Sequence, residues 1–348
     1  MTKMSTFKDD MLRQHNHCFD FLKGIACVCV VFMHCEFPDV LGTIVQTISR
    51  FCVPFFFMLS GYYSYYGNQG KYKASKKIWH IVQITLFATV FYLLVTPFLN
   101  HASGMRLTFS YRSVVKWLAF NKPFIISGHL WFLFALLYDY ILFSLIDKAK
   151  LTTVSTYTIP IFIIAYVLLA QGAYLAGVKV PNMIYRNFLI EGFPLFMIGY
   201  WLHSKNDNVT AYCKDGILLL LLSVSTVACL GERMFMGRDF GVNISTFPQV
   251  VALFILGMKH PEKYENNIVS RFGSRLSMLI YVLHIFVWRS LNIISRRLRI
   301  SDNTFFLYLK PILVLFTTIL ISMVVASCMD KTRLWTANNK RKKAEQDE

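Results

Sequence analysis

The sequence is poor in charged residues, and poorer still in acidic ones. Only 16% of its 348 residues are charged, whereas 55% are hydrophobic and the mean hydropathy is +0.46. A soluble domain cannot bury that much apolar surface, so a soluble fold is excluded. The 36 Lys and Arg outnumber the 19 Asp and Glu, which gives a formal net charge of +17. These basic residues lie in short segments between apolar runs, which indicates membrane topology and no nucleic-acid partner.

The sequence also lacks the short motifs of several enzyme classes. It contains no Gly-rich phosphate loop, no nucleophile elbow and no zinc-binding H-E-x-x-H helix. Its eight cysteines form no C-x-x-C pair, so we interpret them as small apolar side chains and expect neither a metal site nor a bound cofactor. The first apolar run carries Asp20 and Lys23 and is followed by no small-residue cleavage site, which argues against a cleaved signal peptide.

What the sequence does contain is a series of apolar runs, each long enough to cross a hydrocarbon core of about 30 Å. They do not alternate apolar and polar residues, so the spans are helices. We predict an all-α polytopic membrane protein with about ten transmembrane helices in one integral domain over 19–330, between an N-terminal segment (1–18) and a basic tail (331–348). The runs lie near 19–36, 43–64, 78–99, 128–146, 154–171, 188–203, 215–230, 243–258, 276–294 and 305–328.

The distribution of basic residues predicts the orientation. Ten spans place both termini on one side of the membrane. With the N-terminus in the cytoplasm, the cytoplasmic segments carry 21 Lys and Arg and the opposite loops carry 11. The positive-inside rule therefore predicts cytoplasmic termini, in the inner (cytoplasmic) membrane of the cell.

Ionisable side chains inside apolar runs cost a few kcal/mol near the membrane centre, so each is a candidate functional group or half of a buried pair. In the first run Lys23 and His34 are eleven residues apart, close to three helical turns, and share one face about 16 Å apart along the axis. Asp20 is placed to pair with Lys23. A snorkelling lysine and a structural histidine remain the alternative. The ionisable residues inside runs are Lys23, His34, Arg50, Asp139, Glu191, His284, Arg289 and Lys310.

The ninth run carries a polar and aromatic stripe. Ser277, Tyr281, His284 and Trp288 follow one another at offsets of four, three and four residues. They lie on one helix face, which either lines a cavity around His284 or makes ordinary hydrogen bonds between helices.

Three other runs hold weaker candidates. Ser60 and Gly61 in the second run allow a backbone or a ligand to approach closely. His129 and Trp131 open the fourth run, where interface anchors are also common. Glu191 lies at the outer edge of the sixth run.

Five segments of the sequence are informative when taken together: FDFLKGIACVCVVFMH, VPFFFMLSGYY, GHLWFLFALL, FPLFMIGYWL and SMLIYVLH. They resemble motifs of the acyltransferase 3 family and occur in that family's order over roughly residues 19–290. The first segment is similar to the family's first-helix signature, an Asp and a basic residue ahead of a His. The basic residue is commonly Arg in the family and is Lys23 here, which keeps the charge but loses the bidentate fork.

The resemblance implies O-acyl transfer, most simply O-acetylation, from acyl-CoA (acetyl-CoA) to a sugar hydroxyl of a surface polysaccharide, lipid-linked glycan or precursor. His34 is then the general base, or equally the carrier of an acyl intermediate. Partners are the lipid bilayer, acyl-CoA and a carbohydrate acceptor, and a homo-oligomer is left open. The remaining roles are donor binding by Lys23 and Asp20, acceptor orientation or oxyanion stabilisation by Tyr281 and His284, and acceptor binding by Trp131, His129, Ser60 and Glu191.

Two other functions fit part of the pattern. A polytopic transporter or flippase of glycan-related substrates also has charges inside the membrane, but it predicts paired inverted repeats, and the sequence shows none. A non-catalytic membrane sensor or scaffold predicts that both intramembrane histidines can be replaced without loss of function.

The orientation is tested by reporter fusions. Fusions at Asn68 and at Lys331 should both read as cytoplasmic, and a fusion at Ser110 should read as periplasmic, because basic residues concentrate on the first side. A periplasmic signal at Lys331 would contradict the even number of spans.

Overall fold

The computed structural model describes residues 15–66, 74–103, 111–121 and 128–346. The structure is 83% helical, and its described residues contain no strand. The predicted all-α class is therefore confirmed. Most of the predicted N-terminal segment, and the fusion sites Asn68 and Ser110, lie outside the described residues.

The described residues in the first half of the chain form nine α-helices. A 3-10 helix (Ser49–Phe51) joins the second to the third, another (Gly128–Leu130) precedes the sixth, and a π-helical turn (Leu168–Gly172) joins the eighth to the ninth. The helices are α1 (His17–His34), α2 (Asp39–Ile48), α3 (Cys52–Tyr62), α4 (Ala74–Ser103), α5 (Tyr111–Phe120), α6 (Trp131–Lys148), α7 (Thr152–Tyr157), α8 (Ile159–Val167) and α9 (Ala173–Leu175).

The second half, as far as the structure describes it, forms eight more α-helices, with a π-helical turn (Phe188–Gly192) leading into the second of them. They are α10 (Asn182–Tyr185), α11 (Phe193–Ser204), α12 (Asn206–Tyr212), α13 (Asp215–Met236), α14 (Thr246–Lys259), α15 (Ile268–Arg275), α16 (Ser277–Arg297) and α17 (Thr304–Gln346).

In the described part of the chain, eight helical segments are long and apolar enough to cross a membrane. They match eight of the ten predicted runs. The sixth and eighth runs form shorter helices, α11 with its preceding turn and the 14-residue α14. Most side chains of both helices are buried among other helices, so neither must present a full-length apolar surface to lipid. The orientation of the bundle stays a prediction.

Helix α1 lies at the centre of the bundle. Its N-cap residue Asn16 accepts a hydrogen bond from the backbone N–H of Phe19 at 2.7 Å and donates to the carbonyl of Gly257 on α14 at 3.0 Å. On its other side α15 lies so close that a Cβ on Gly273 would overlap the carbonyl of Asp20. These contacts fix α1, and with it the histidine at its end, against two neighbours.

Helix α16 runs beside α1 in the same direction. The Cys27 thiol contacts the carbonyl of Ser277 at 3.6 Å, and seven residues further along each helix His34 meets His284. Along the axis of α1, His34 lies about 26 Å from His17, and α16 continues for about 20 Å beyond His284. The two histidines therefore lie inside the bundle and not at its rim.

Helices α3 and α11 cross at two glycines. A Cβ on Gly61 would overlap the carbonyl of Phe196, and a Cβ on Gly199 would overlap the carbonyl of Met58. The close backbone approach predicted at Ser60 and Gly61 is thus confirmed for Gly61. Such contacts between small residues are a usual means of packing membrane helices.

This crossing predicts an asymmetric response to alanine. Gly61→Ala or Gly199→Ala should destabilise the protein by about 1–3 kcal/mol, because the two backbones must separate. Gly231→Ala is the matched control: no atom lies within 4 Å of a Cβ there, so added helix propensity should leave the melting temperature unchanged or raised. Thermal unfolding in one detergent measures all three variants, and equal melting temperatures would contradict the crossing.

Candidate functional site

A cavity of about 310 Å³ lies beside the end of α1. It is inside the bundle, at the level where α1 ends. Among the described residues its lining holds two guanidiniums, two imidazoles and one phenol, and no carboxylate. The lining residues are Val30, Met33, His34, Arg50, Val53, Phe56, Gly128, His129, Trp131, Phe132, Arg186 and Tyr281.

Three histidines from three helical segments meet at this cavity. The ring centroids of His34 and His284 are 5.0 Å apart, and those of His129 and His284 are 5.1 Å apart. His34 and His129 are 6.3 Å apart. His284 is fully buried behind the other two, whereas the side chain of His34 is exposed to the cavity.

The hydrogen bonds of the cluster distinguish the rings. Nδ1 of His284 lies 3.1 Å from the carbonyl of Ile280, so Nδ1 carries the proton and donates, and Nε2 keeps its lone pair. That Nε2 is buried and has no partner among the described residues. His34 makes no hydrogen bond to any described residue either. The cluster therefore leaves an imidazole free to act on a ligand.

Two tyrosines brace the histidines. Tyr281 donates its hydroxyl proton to the backbone carbonyl of His129, which ties α16 to the start of α6. Tyr92 of α4 donates to the carbonyl of Val282 at 2.7 Å and accepts from the N–H of Phe286 at 3.1 Å. With its proton engaged, the Tyr281 hydroxyl has only accepting capacity left for a ligand.

Two arginines complete the lining. Arg50 forms an ion pair with Asp239. Arg186 lies 5.2 Å above the ring of Trp131, and its Nε is 3.8 Å from a carboxylate oxygen of Glu191. Both acids lie behind the arginines, outside the lining. The cavity wall is therefore cationic beside a free imidazole.

A family comparison matches this architecture. Residues 16–329 match the model of the acyltransferase domain family, which covers nearly the whole chain. The chain belongs to this family. It is an acyltransferase and a multi-pass membrane protein. No curated protein and no solved structure matches it. Membership confirms the resemblance found in the sequence and favours an enzyme over the transporter and scaffold alternatives.

Some of the predicted site residues meet at the cavity of this acyltransferase, and others lie elsewhere in the fold. His34, His129, Trp131 and Tyr281 line the cavity, and His284 lies directly behind it. Ser60 does not line it, and donates to the carbonyl of Phe56 at 2.9 Å within its own helix.

Glu191 also lies outside the lining. Its ion pair is with Arg186, which does line the cavity. Its neighbour in the interior is Asp139, which is fully buried and has both carboxylate oxygens unpartnered among the described residues. Glu191 is therefore placed to position Arg186 and not to touch a ligand in the cavity.

The predicted donor-binding pair lies at the opposite end of α1. Asp20 pairs with Lys23, as the spacing predicted, and also with His15 at 2.5 Å. The Asp20 side chain is 4% exposed and that of Lys23 is 20% exposed, so much of this charge is internally compensated. Neither residue lines the cavity.

The same end holds a group of possible metal ligands. Single ligand atoms of His15, His17 and Asp20 lie within 4.8 Å of one another. Because Asp20 already pairs with the ammonium of Lys23, a divalent cation there would face a positive charge. We assign no metal to the group.

Sequence reasoning missed two members of the site. Arg50 was recognised as an ionisable residue inside a run but given no role. Arg186 lies in the connection before the sixth run, where it counted only as an external basic residue. Its position depends on the 239–241 loop, whose closeness to residue 186 leaves no signal in a single sequence.

The hydrogen bond from Tyr281 to the carbonyl of His129 predicts how a Tyr281→Phe variant should behave. Tyr281→Phe should lower stability by about 1 kcal/mol, because one hydrogen bond between helices is lost, and should lower turnover only a few-fold. An oxyanion donor would instead cost roughly 100- to 1000-fold in turnover. Melting temperature and acyl-transfer turnover of the same preparation separate the two roles, and a 100-fold loss with unchanged melting would overturn the bracing role.

Proposed function

We propose that this acyltransferase moves an acyl group, most simply acetyl, from acyl-CoA to a sugar hydroxyl of a surface polysaccharide, a lipid-linked glycan or its precursor, in the inner membrane of the cell. The observation that carries the proposal is His34, an imidazole without a hydrogen-bond partner among the described residues. It faces a cavity inside a membrane bundle of the acyltransferase family.

The chemistry requires a base. A sugar hydroxyl is a weak nucleophile until its proton is removed, and a neutral imidazole accepts a proton near neutral pH. His34 takes the proton as the hydroxyl oxygen bonds to the thioester carbon. The carbon–sulfur bond then breaks, the proton passes from His34 to the departing thiolate, and the products are the sugar ester and free CoA.

His284 is placed to orient the base. The two rings are not hydrogen-bonded in the structure, but at a centroid separation of 5.0 Å a rotation of the His34 ring would bring a nitrogen of each within hydrogen-bond distance. Since Nδ1 of His284 donates to Ile280, its Nε2 can accept the N–H of His34. That bond would fix the tautomer of His34 and turn its other nitrogen, with the lone pair, toward the cavity.

The donor would approach from the Lys23 end. Under the predicted orientation this end faces the cytoplasm, where acyl-CoA is made, and a cation attracts the CoA phosphates. The same arrangement supports a two-step route in which a nitrogen of His34 first attacks the thioester and carries the acyl group to the acceptor. The two routes differ in whether CoA is released before the acceptor binds.

The proposal predicts distinct effects for two histidines. His34→Ala should lower acyl-transfer turnover by roughly 100-fold or more, the usual contribution of a positioned base. Its melting temperature should stay near that of the wild type, because the side chain of His34 is exposed to the cavity and is not packed in the core. His284→Ala should reduce activity less, or reduce stability and activity together, because its ring is fully buried.

His80→Ala is the matched control. This histidine lies on the exposed side of α4, away from the cavity, so its removal should change neither quantity. Turnover and melting temperature are measured for the three variants in one detergent. An active His34→Ala protein would show that the imidazole is structural.

A further inference from the structure

We infer that the acceptor carries a negative charge, and that Arg50 and Arg186 hold it in the cavity beside His34. The inference rests on the proposed function and names the class of its acceptor: a sugar that bears a carboxylate or a phosphate close to the hydroxyl that is acylated. It starts from the charge of the lining, which includes two guanidiniums and no carboxylate among the described residues.

Arg186 is the freer of the two cations. Its guanidinium makes no hydrogen bond to any described residue, and its nearest acid is Glu191 at 3.8 Å, beyond hydrogen-bond distance. The side chain is 28% exposed. An enclosed guanidinium with unmet donors is costly, and a carboxylate or phosphate satisfies two of those donors at once. Its cation–π contact with Trp131 keeps the guanidinium beside the cavity for such a contact.

Arg50 is held at the same wall. It pairs with Asp239, and its Nη1 lies 3.7 Å from the sulfur of Met33, the residue before His34. Its Nε has no partner among the described residues. One carboxylate cannot use all five N–H donors of a guanidinium, so Arg50 has capacity for a second anion.

One loop positions both arginines. Asp239 pairs with Arg50 and accepts from the N–H of Gly241 at 2.9 Å. Gly241 has a φ of +91°, and a Cβ there would lie 2.8 Å from Nε of Arg186. The buried hydroxyl of Tyr166 braces the loop, donating to the carbonyl of Phe240 at 3.2 Å. The two cations therefore belong to a built site and are not two isolated surface charges.

The position of the arginines favours the acceptor over the donor. Lys23, the proposed contact for the CoA phosphates, lies eleven residues before His34 on the same helix, about 16 Å along its axis. A cavity of about 310 Å³ is suited to a sugar ring and its substituents and is too small for a whole CoA. The anion held beside His34 is therefore on the attacking molecule.

The test is equilibrium binding without any acyl donor. Purified full-length protein in non-ionic detergent at low salt is titrated calorimetrically with glucuronate, glucose 6-phosphate and glucose. At least one of the anionic sugars should bind tenfold or more tightly than glucose, and the anion that does so tells a carboxylate-bearing acceptor from a phosphate-bearing one. Equal or absent binding of both anionic sugars relative to glucose would overturn the inference.

Three variants test the assignment to these residues. Arg186→Gln should remove most of the preference for the anionic sugar. Glu191→Gln should strengthen anion binding, because it removes the acid that competes for Arg186, and a purely structural pair would not show this gain. Arg289→Gln is the matched control: Arg289 bonds to Asn100 at 3.0 Å away from the cavity, and its loss should leave the preference intact.

The binding measurement and the transferase assay can fail independently of each other. If His34→Ala abolishes transfer while anionic sugars bind no better than glucose, the proposed function stands and this inference fails. If anionic sugars bind through Arg186 while His34→Ala remains active, the anion site stands and the role of His34 falls. An unchanged preference in Arg186→Gln would also overturn the assignment.

Discussion

The cost of placing polar groups inside a membrane governs this structure. A buried polar group in a helical bundle must find a protein partner or face a cavity. Many polar groups in the described part of the bundle have a protein partner. Tyr92 bonds to the backbone of α16 and Arg289 bonds to Asn100. Tyr281 bonds to the carbonyl of His129. His34 and Arg186 instead face the cavity: both line it, and neither side chain hydrogen-bonds to a described residue. Partnered groups hold the bundle together, and the two unpartnered groups that line the cavity, His34 and Arg186, mark where a ligand belongs.

That division explains how the site is assembled. Helices α1 and α16 are parallel and in contact from Cys27 and Ser277 onward, so residues seven positions later in each come together as His34 and His284. The 3-10 helix before α6 adds His129, and the loop after α13 holds the two arginines of the lining through Asp239 and Gly241. Because the ring of His284 is anchored on its own helix, the geometry of the free imidazole depends on helix packing. The transfer that we propose needs this fixed arrangement, since the proposed base must meet two substrates in one orientation.

Several parts of this arrangement could be predicted from the sequence, and others could not. Periodicity and the cost of buried charge identified the helical class, the pairing of Asp20 with Lys23, and His34 and His284 as separate candidate residues, whose contact only the structure shows. Length alone did not show that α14 is a short, buried helix of 14 residues. Nor could it place Arg186, because residues 186 and 241 meet only in the folded chain. Ser60 and Glu191 were predicted as site residues from their residue types, but neither lines the cavity. Ser60 bonds within its own helix, and Glu191 lies behind Arg186.

Cysteine accessibility tests most directly the claim that His34 faces an open cavity inside the membrane. In a background with its eight native cysteines replaced, His34→Cys is compared with Val31→Cys, whose position on the same helix is fully buried. A membrane-impermeant thiol reagent is added to either side of oriented vesicles. We predict that the cysteine at position 34 reacts rapidly with reagent added on at least one side of the membrane and that the one at position 31 does not react. Equal protection of both positions would contradict an open cavity at His34.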